Sequence, residues 1–229
     1  MKEKKAERVI DTFTGPWERK ILRKLALALP EKITPDHLTV LGLFSSLLSG
    51  AAYLLTWYSH WWLFLASFGF VLNWYADSLD GTLARVRHIE RERYGYFVDH
   101  LADAFTTVVI CLGFGLSPLM RIEIALMLAI GYLLLNVYVH VCAYTHGEFR
   151  ISYMKFGPTE VRLAIILTNT ILFFWDGKVL EFRGGYLTLM DLGGLLFILV
   201  FIGIFVAMSI KTALYLDKLD RAKKQGDKN

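Results

Sequence analysis

Apolar runs of helical length, separated by short polar punctuation, fill most of the chain. The first covers about 38 to 57 and opens through Thr34-Pro35-Asp36, a turn and N-cap signal. Tyr58-Ser59-His60 links it to a second run, about 61 to 84, which begins with Trp61 and Trp62 as an interfacial anchor. Residues 86–94 are polar and charged and long enough to reverse the chain. A third run covers about 95 to 116 and stops near Ser117-Pro118; the fourth covers about 122 to 145. The fifth, about 159 to 175, begins after Pro158, and the sixth covers about 189 to 215. Ahead of them, Trp17, Ile21, Leu25, Ala28 and Leu29 make an apolar stripe, with Arg19, Lys20, Arg23 and Lys24 opposite and Pro30 as the stop. That stripe suits a helix on an anionic leaflet and equally a helix packed on the bundle. The pattern predicts an all-α integral membrane protein: six transmembrane helices plus an N-terminal amphipathic juxtamembrane helix. It divides into a polar and interfacial segment (1–33), a six-helix membrane domain (34–216) and a charged, disordered tail (217–229).

Composition agrees. The chain has 229 residues, 55% of them hydrophobic, and a mean hydropathy of +0.44, above an ordinary soluble domain. The first 30 residues lack the apolar core of a signal peptide. Cys111 and Cys142 both lie in apolar runs and read as small core residues. Charge adds orientation. Of the 25 Lys and Arg, 22 fall in the N-terminal segment, the 86–94 link with Arg85, the 146–162 stretch and the stretch from Lys211 to the end, all on one side; Arg121, Lys178 and Arg183 fall on the other. The positive-inside rule makes the first side cytoplasmic, with both termini inside, in the inner membrane if the source is prokaryotic. These charges orient the chain, and no nucleic-acid partner is expected.

The candidate chemistry lies between the second and third runs. Asp77, Asp80, Gly81 and Ala84 share one helix face; Gly95, Asp99 and Asp103 share a face of the next helix. A carboxylate at the centre of a membrane helix costs about 2.5–3.5 kcal/mol, so four uncompensated ones cost on the order of 10 kcal/mol. The acids outnumber the nearby cations, which argues against a purely structural set of salt bridges. If the helices lie antiparallel, the four carboxylates converge, and an all-oxygen site suits Mg²⁺ or Mn²⁺, with two ions the usual apparatus for displacement at phosphorus. Gly81 and Ala84 leave their face bare, so a bulky ligand can approach the backbone. Arg85 offers a fork for phosphate or a stabiliser of the helix end. Asp77 lies about 16 residues into its helix, roughly 24 Å along, towards the far leaflet. Asn73, one turn earlier, either joins the site or hydrogen-bonds within the bundle.

The eight positions D-x2-D-G-x2-A-R-x9-G-x3-D-x3-D, here Asp77, Asp80, Gly81, Ala84, Arg85, Gly95, Asp99 and Asp103, resemble the signature of the CDP-alcohol phosphotransferases, which are integral membrane enzymes. The resemblance implies transfer of a phospho-alcohol group from a CDP-alcohol, such as CDP-diacylglycerol, to an acceptor hydroxyl, with release of CMP. It implies two Mg²⁺ or Mn²⁺ ions held by Asp77, Asp80 and Asp99, with Asp103 as general base and a further metal contact. Gly81 and Ala84 would floor the cytidine, Arg85 would contact phosphate, and Gly95 would permit close helix packing. Related enzymes often carry Thr-Pro-Asn and then a Thr at the first membrane helix; Thr34, Pro35 and Thr39 match and Asp36 departs, so Thr39 either contacts nucleotide or caps and packs. Such enzymes tend to be homodimers.

Arg150, Lys155 and Arg162 fall together on the cytoplasmic side. They clamp an acceptor phosphate or anchor the chain to lipid headgroups; Arg150 is assigned to anchoring, Lys155 and Arg162 to the acceptor, and Glu160 is a partner for Arg162. Inositol phosphate, glycerol phosphate, serine, ethanolamine, choline and diacylglycerol all stay open as acceptors. His140 and His146 read as solvated helix-end residues. Two rival functions share the aspartate cluster, a membrane prenyltransferase and a cation transporter. The Asp-Gly-x2-Ala-Arg core opposes the first, and Arg85 beside the acids opposes the second.

Overall fold

The computed structural model describes residues 15–146, 158–175, 177–182 and 185–226. Seven helices follow in order: α1 (Gly15–Ala28), α2 (Pro35–Leu55), α3 (Trp62–Arg87), α4 (Glu92–Gly115), α5 (Ile122–His146), α6 (Pro158–Phe174) and α7 (Leu189–Gly226). All seven predicted helices are present. Two expectations change. The stretch between α6 and α7 forms an antiparallel hairpin, β1 (Lys178–Phe182) with β2 (Gly185–Thr188). The charged tail, expected to be disordered, continues α7 through residue 226. Its Asp217–Arg221 pair at i, i+4, with 2.9 Å between Nε and Oδ2, supports that extension.

Among the described residues, four helices are long and apolar enough to cross a membrane: α2, α4, residues Ile122–Cys142 of α5 and Leu189–Ala222 of α7. α6 has only 17 residues, and α3, although 26 residues long, is diluted by Asn73, Asp77, Asp80 and Arg85.

Local signals fix the ends that matter for the site. Thr34 caps α2: its Oγ1 accepts from His37 N at 3.4 Å, while its own N–H donates to His37 Nδ1 at 3.1 Å. α3 stops at His88, in the left-handed region at φ 55°. The chain therefore reverses over four residues, 88–91, instead of the nine expected. Arg87 braces this corner by donating to the carbonyls of Leu29, Pro30, Glu31 and Ile33, and Arg91 pairs with Asp36. At the start of α7 Thr188 and Asp191 cap the helix reciprocally, and Asp191 also accepts from the Arg121 backbone N–H at 2.8 Å. The spacing Thr-x-x-Asp was legible in the sequence as a helix start.

α2 is the hub, packed on both α3 and α4, while α3 and α4 touch each other little. α5 joins α4 to α7, and α6 lies on α3. The α2–α4 crossing is tight: a Cβ placed on Gly113 would lie 2.7 Å from Gly50 Cα and 2.9 Å from its carbonyl oxygen. Small residues allow such an approach where lipid supplies no hydrophobic drive between helices. Gly113→Ala should therefore force α2 from α4 and cost about 1–3 kcal/mol. Thermal melting in detergent checks this; an unchanged midpoint would disprove the close crossing.

α1 packs on α3 through Leu22 (6% exposed) and Ala26 (1%), which join Leu38, Leu79 and Leu83 in one cluster. Part of the stripe predicted from sequence meets this cluster. Ile21 is 47% exposed and Ala28 is exposed, while Leu25 and Leu29 pack beside the cluster.

Candidate active site

The four aspartates line one small cavity. Asp77 and Asp80 come from α3, Asp99 and Asp103 from α4, and α2 supplies Thr39, Gly42 and Leu43; Asn73, Ala102 and Thr106 complete the lining. Because α3 and α4 stand on either side of α2, their acidic faces look at each other across a gap. The cavity holds about 20 Å³, room for roughly one water-sized particle.

Each acid has a distinct environment. Asp80 accepts from Thr39 Oγ1 at 2.9 Å and from the Gly81 backbone N–H. Asp77 pairs with Arg162 of α6, Nη2 to Oδ2 at 2.8 Å, with side-chain exposures of 29% and 13%. Asp99 Oδ2 lies 3.4 Å from His100 Nδ1, which is buried without a hydrogen-bond partner. Asp103 is one turn deeper in α4, and its backbone carbonyl accepts from Thr107 Oγ1 at 2.9 Å. Among the described residues, Arg162 is the one Lys or Arg within ion-pair distance of the four acids. The acidic charge of the cavity thus exceeds its protein counter-charge.

Thr39 stands in the site, hydrogen-bonded to Asp80 and also to the Pro35 carbonyl. Asn73 lines the cavity and donates to the Gly42 carbonyl at 3.0 Å, so it serves both readings given for it. Gly81, Ala84 and Arg85 lie outside the lining, further along α3. The Arg85 guanidinium folds back to Thr82 Oγ1 at 3.1 Å and lies 3.4 Å from where a Gly81 Cβ would sit. Gly95 does not mediate helix packing: a Cβ there would meet nothing within 4 Å. Arg162 reaches Asp77, the partner that its position on a separate helix hid from the sequence. Arg150 and Lys155 lie outside the described residues. Gly42, Ala102 and Thr106 were missed. Their signal was spacing, since each sits three residues beyond Thr39, Asp99 or Asp103.

Among the described residues no group of three or more His, Cys, Asp or Glu side chains already stands at the spacing that would hold one ion. The donor chemistry nonetheless fits a hard divalent cation: carboxylates in excess, and a threonine and an asparagine within the same lining.

A largely helical chain, with four helices among the described residues long and apolar enough to span a bilayer and an acidic cavity between α2, α3 and α4, defines an integral membrane protein with a polar centre. The model of the CDP-alcohol phosphatidyltransferase family matches residues 32–208, most of the chain, and the protein belongs to that family. It is accordingly a membrane phosphotransferase, with a CDP-alcohol as donor and an alcohol as acceptor, in a family that generally depends on divalent metal. No curated protein matches the chain.

Proposed function

We propose that the protein transfers the phosphatidyl group of CDP-diacylglycerol to an acceptor hydroxyl and releases CMP, using Mg²⁺ or Mn²⁺ held by Asp77, Asp80, Asp99 and Asp103. The supporting observation is that all four carboxylates, from two helices that barely touch, line one cavity with, among the described residues, a single Arg as counter-charge. When bound, two such ions neutralise the diphosphate and stabilise CMP as it leaves.

The chain's own groups do the rest. Asp103, one turn further along α4 than Asp99, takes the proton of the acceptor hydroxyl. The freed oxygen attacks the phosphatidyl phosphorus, and the phosphoanhydride bond breaks with its electrons going to CMP. Thr39 fixes the Asp80 carboxylate through its 2.9 Å hydrogen bond. Gly81 and Ala84 leave space beside the backbone for the cytidine, and Arg85 swings from Thr82 to phosphate. Arg162, with Lys155, receives the acceptor and grips its phosphate where it has one.

α3 and α6 complete six spans, with α1 on the cytoplasmic surface and both termini inside. This puts the aspartates near the leaflet where nucleotide-activated lipids are made. A homodimer is the expected assembly.

Purified protein supplied with CDP-diacylglycerol and a panel of alcohols should release CMP with one acceptor class and not without acceptor. Silence across the panel, with consumption of a labelled prenyl diphosphate or nucleotide-free ion flux in liposomes, would replace this reading with one of its rivals.

A further inference from the structure

One carboxylate outside the acidic cavity joins three helices. Glu18 of α1 directs Oε1 at three donors: Trp74 Nε1 at 2.7 Å and Ser78 Oγ at 3.2 Å on α3, and Thr159 Oγ1 at 3.1 Å on α6. The two helices it ties carry the residues that pair at the site. Ser78 follows Asp77 in the chain, and Thr159 lies three residues before Arg162. At the end nearest the site α3 and α6 are therefore linked twice, by Asp77–Arg162 and by Ser78–Glu18–Thr159, and further along Asn169 of α6 donates to Ser67 Oγ of α3 at 3.0 Å. Glu18 lies outside residues 32–208, the stretch that the family model matches.

We propose that Glu18 is a positioning residue: it sets the register of α6 on α3 and thereby holds Arg162 against Asp77. Charge-assisted hydrogen bonds are the strong class, and three on one oxygen fix direction as well as distance. Glu18 is also the polar end of the α1 face that carries Leu22 and Ala26 into the apolar cluster on α3. The apolar contact holds α1 to α3 alone; the carboxylate is what reaches α6. Without it, α6 loses its tie to α1 and stays on α3 through Asn169–Ser67 and the apolar contacts further along, which leaves the Arg162 end held by its own ion pair.

The inference rests on the site proposed above, but its first readout needs no turnover. Arg162 is protected in the wild type, with its side chain 13% exposed and paired. Phenylglyoxal labelling of the full-length protein, read at the Arg162 peptide by mass spectrometry, should accelerate at least several-fold in Glu18→Ala. Thr159→Val, which cuts only the α6 arm, should behave alike and covers the case where Glu18→Ala does not fold. Glu18→Gln keeps an oxygen acceptor and should restore protection. Leu22→Ala, which loosens α1 docking but keeps the carboxylate, should melt earlier with Arg162 still protected. Kinetically, Glu18→Ala should raise the acceptor KM about 10- to 100-fold, the scale of a misplaced binding group, with a smaller change in the donor KM. Unchanged Arg162 labelling in both Glu18→Ala and Thr159→Val would overturn the proposal. If labelling accelerates while Arg162→Ala turns over normally, Glu18 still positions α6 and the acceptor role of Arg162 falls instead.

Discussion

Asp103→Asn is expected to abolish transfer while leaving CDP-alcohol bound. The substitution keeps the shape of the side chain and removes its capacity to take a proton. Asp103 lies one turn beyond Asp99 on the same face of α4. Asp80 is held by Thr39 and the Gly81 N–H, and Asp77 by Arg162, so both are engaged from the protein side. Asp103 makes no such side-chain hydrogen bond or ion pair among the described residues, as suits a group that must meet a substrate proton. General-base catalysis contributes about 10²- to 10⁴-fold, and the loss in CMP release should fall in that range. Single-turnover CMP release measures it, and equilibrium binding of labelled CDP-diacylglycerol to the same variant supplies the comparison. Normal turnover would remove the base assignment. Loss of donor binding together with turnover would make Asp103 a metal ligand and nothing more.

Chelation should be as severe. Four carboxylates face one cavity of about 20 Å³, and one guanidinium opposes them. Buried like charges of this kind are tolerated where a cation shares them. Removing divalent ions should reduce CMP release to background, and Mg²⁺ or Mn²⁺ should restore it. A second signature is independent of chemistry. A ligand that binds only the folded state at about 100 times its Kd adds about 2.7 kcal/mol, so either ion should raise the melting midpoint of the wild type. The same ions should do less for Asp77→Asn. Transfer that survives exhaustive chelation, or a midpoint indifferent to metal, would contradict the carboxylate reading of the site.

Much of this architecture was legible because a membrane narrows the choices. Apolar runs of span length must be helices, since lipid leaves no other way to satisfy backbone groups. Their ends were marked by Thr34-Pro35, the paired tryptophans and Pro158. The aspartate faces were legible too, because i, i+3 and i, i+4 spacing aligns residues on one helix whatever surrounds it. The hairpin at 178–188 was missed: nine residues with only a short alternating pattern do not stand out beside six long apolar runs. The extension of α7 was missed because a charged tail reads as solvated, although its i, i+4 Asp217–Arg221 pair favours helix.

The chain alone therefore determined the membrane class, the helices and the eight-position motif with its four acids, all properties of local sequence and of the lipid solvent. Only the tertiary structure decided which helices are neighbours. It put α2 between α3 and α4, brought Arg162 to Asp77 across 85 residues, and turned Leu22 and Ala26, not Ile21 and Ala28, towards α3. The reason is physical. Periodicity states which residues share a face, but an apolar helix in lipid has no preferred azimuth until close packing and a few buried polar contacts, here Gly50 on Gly113 and Glu18 on its three donors, choose one.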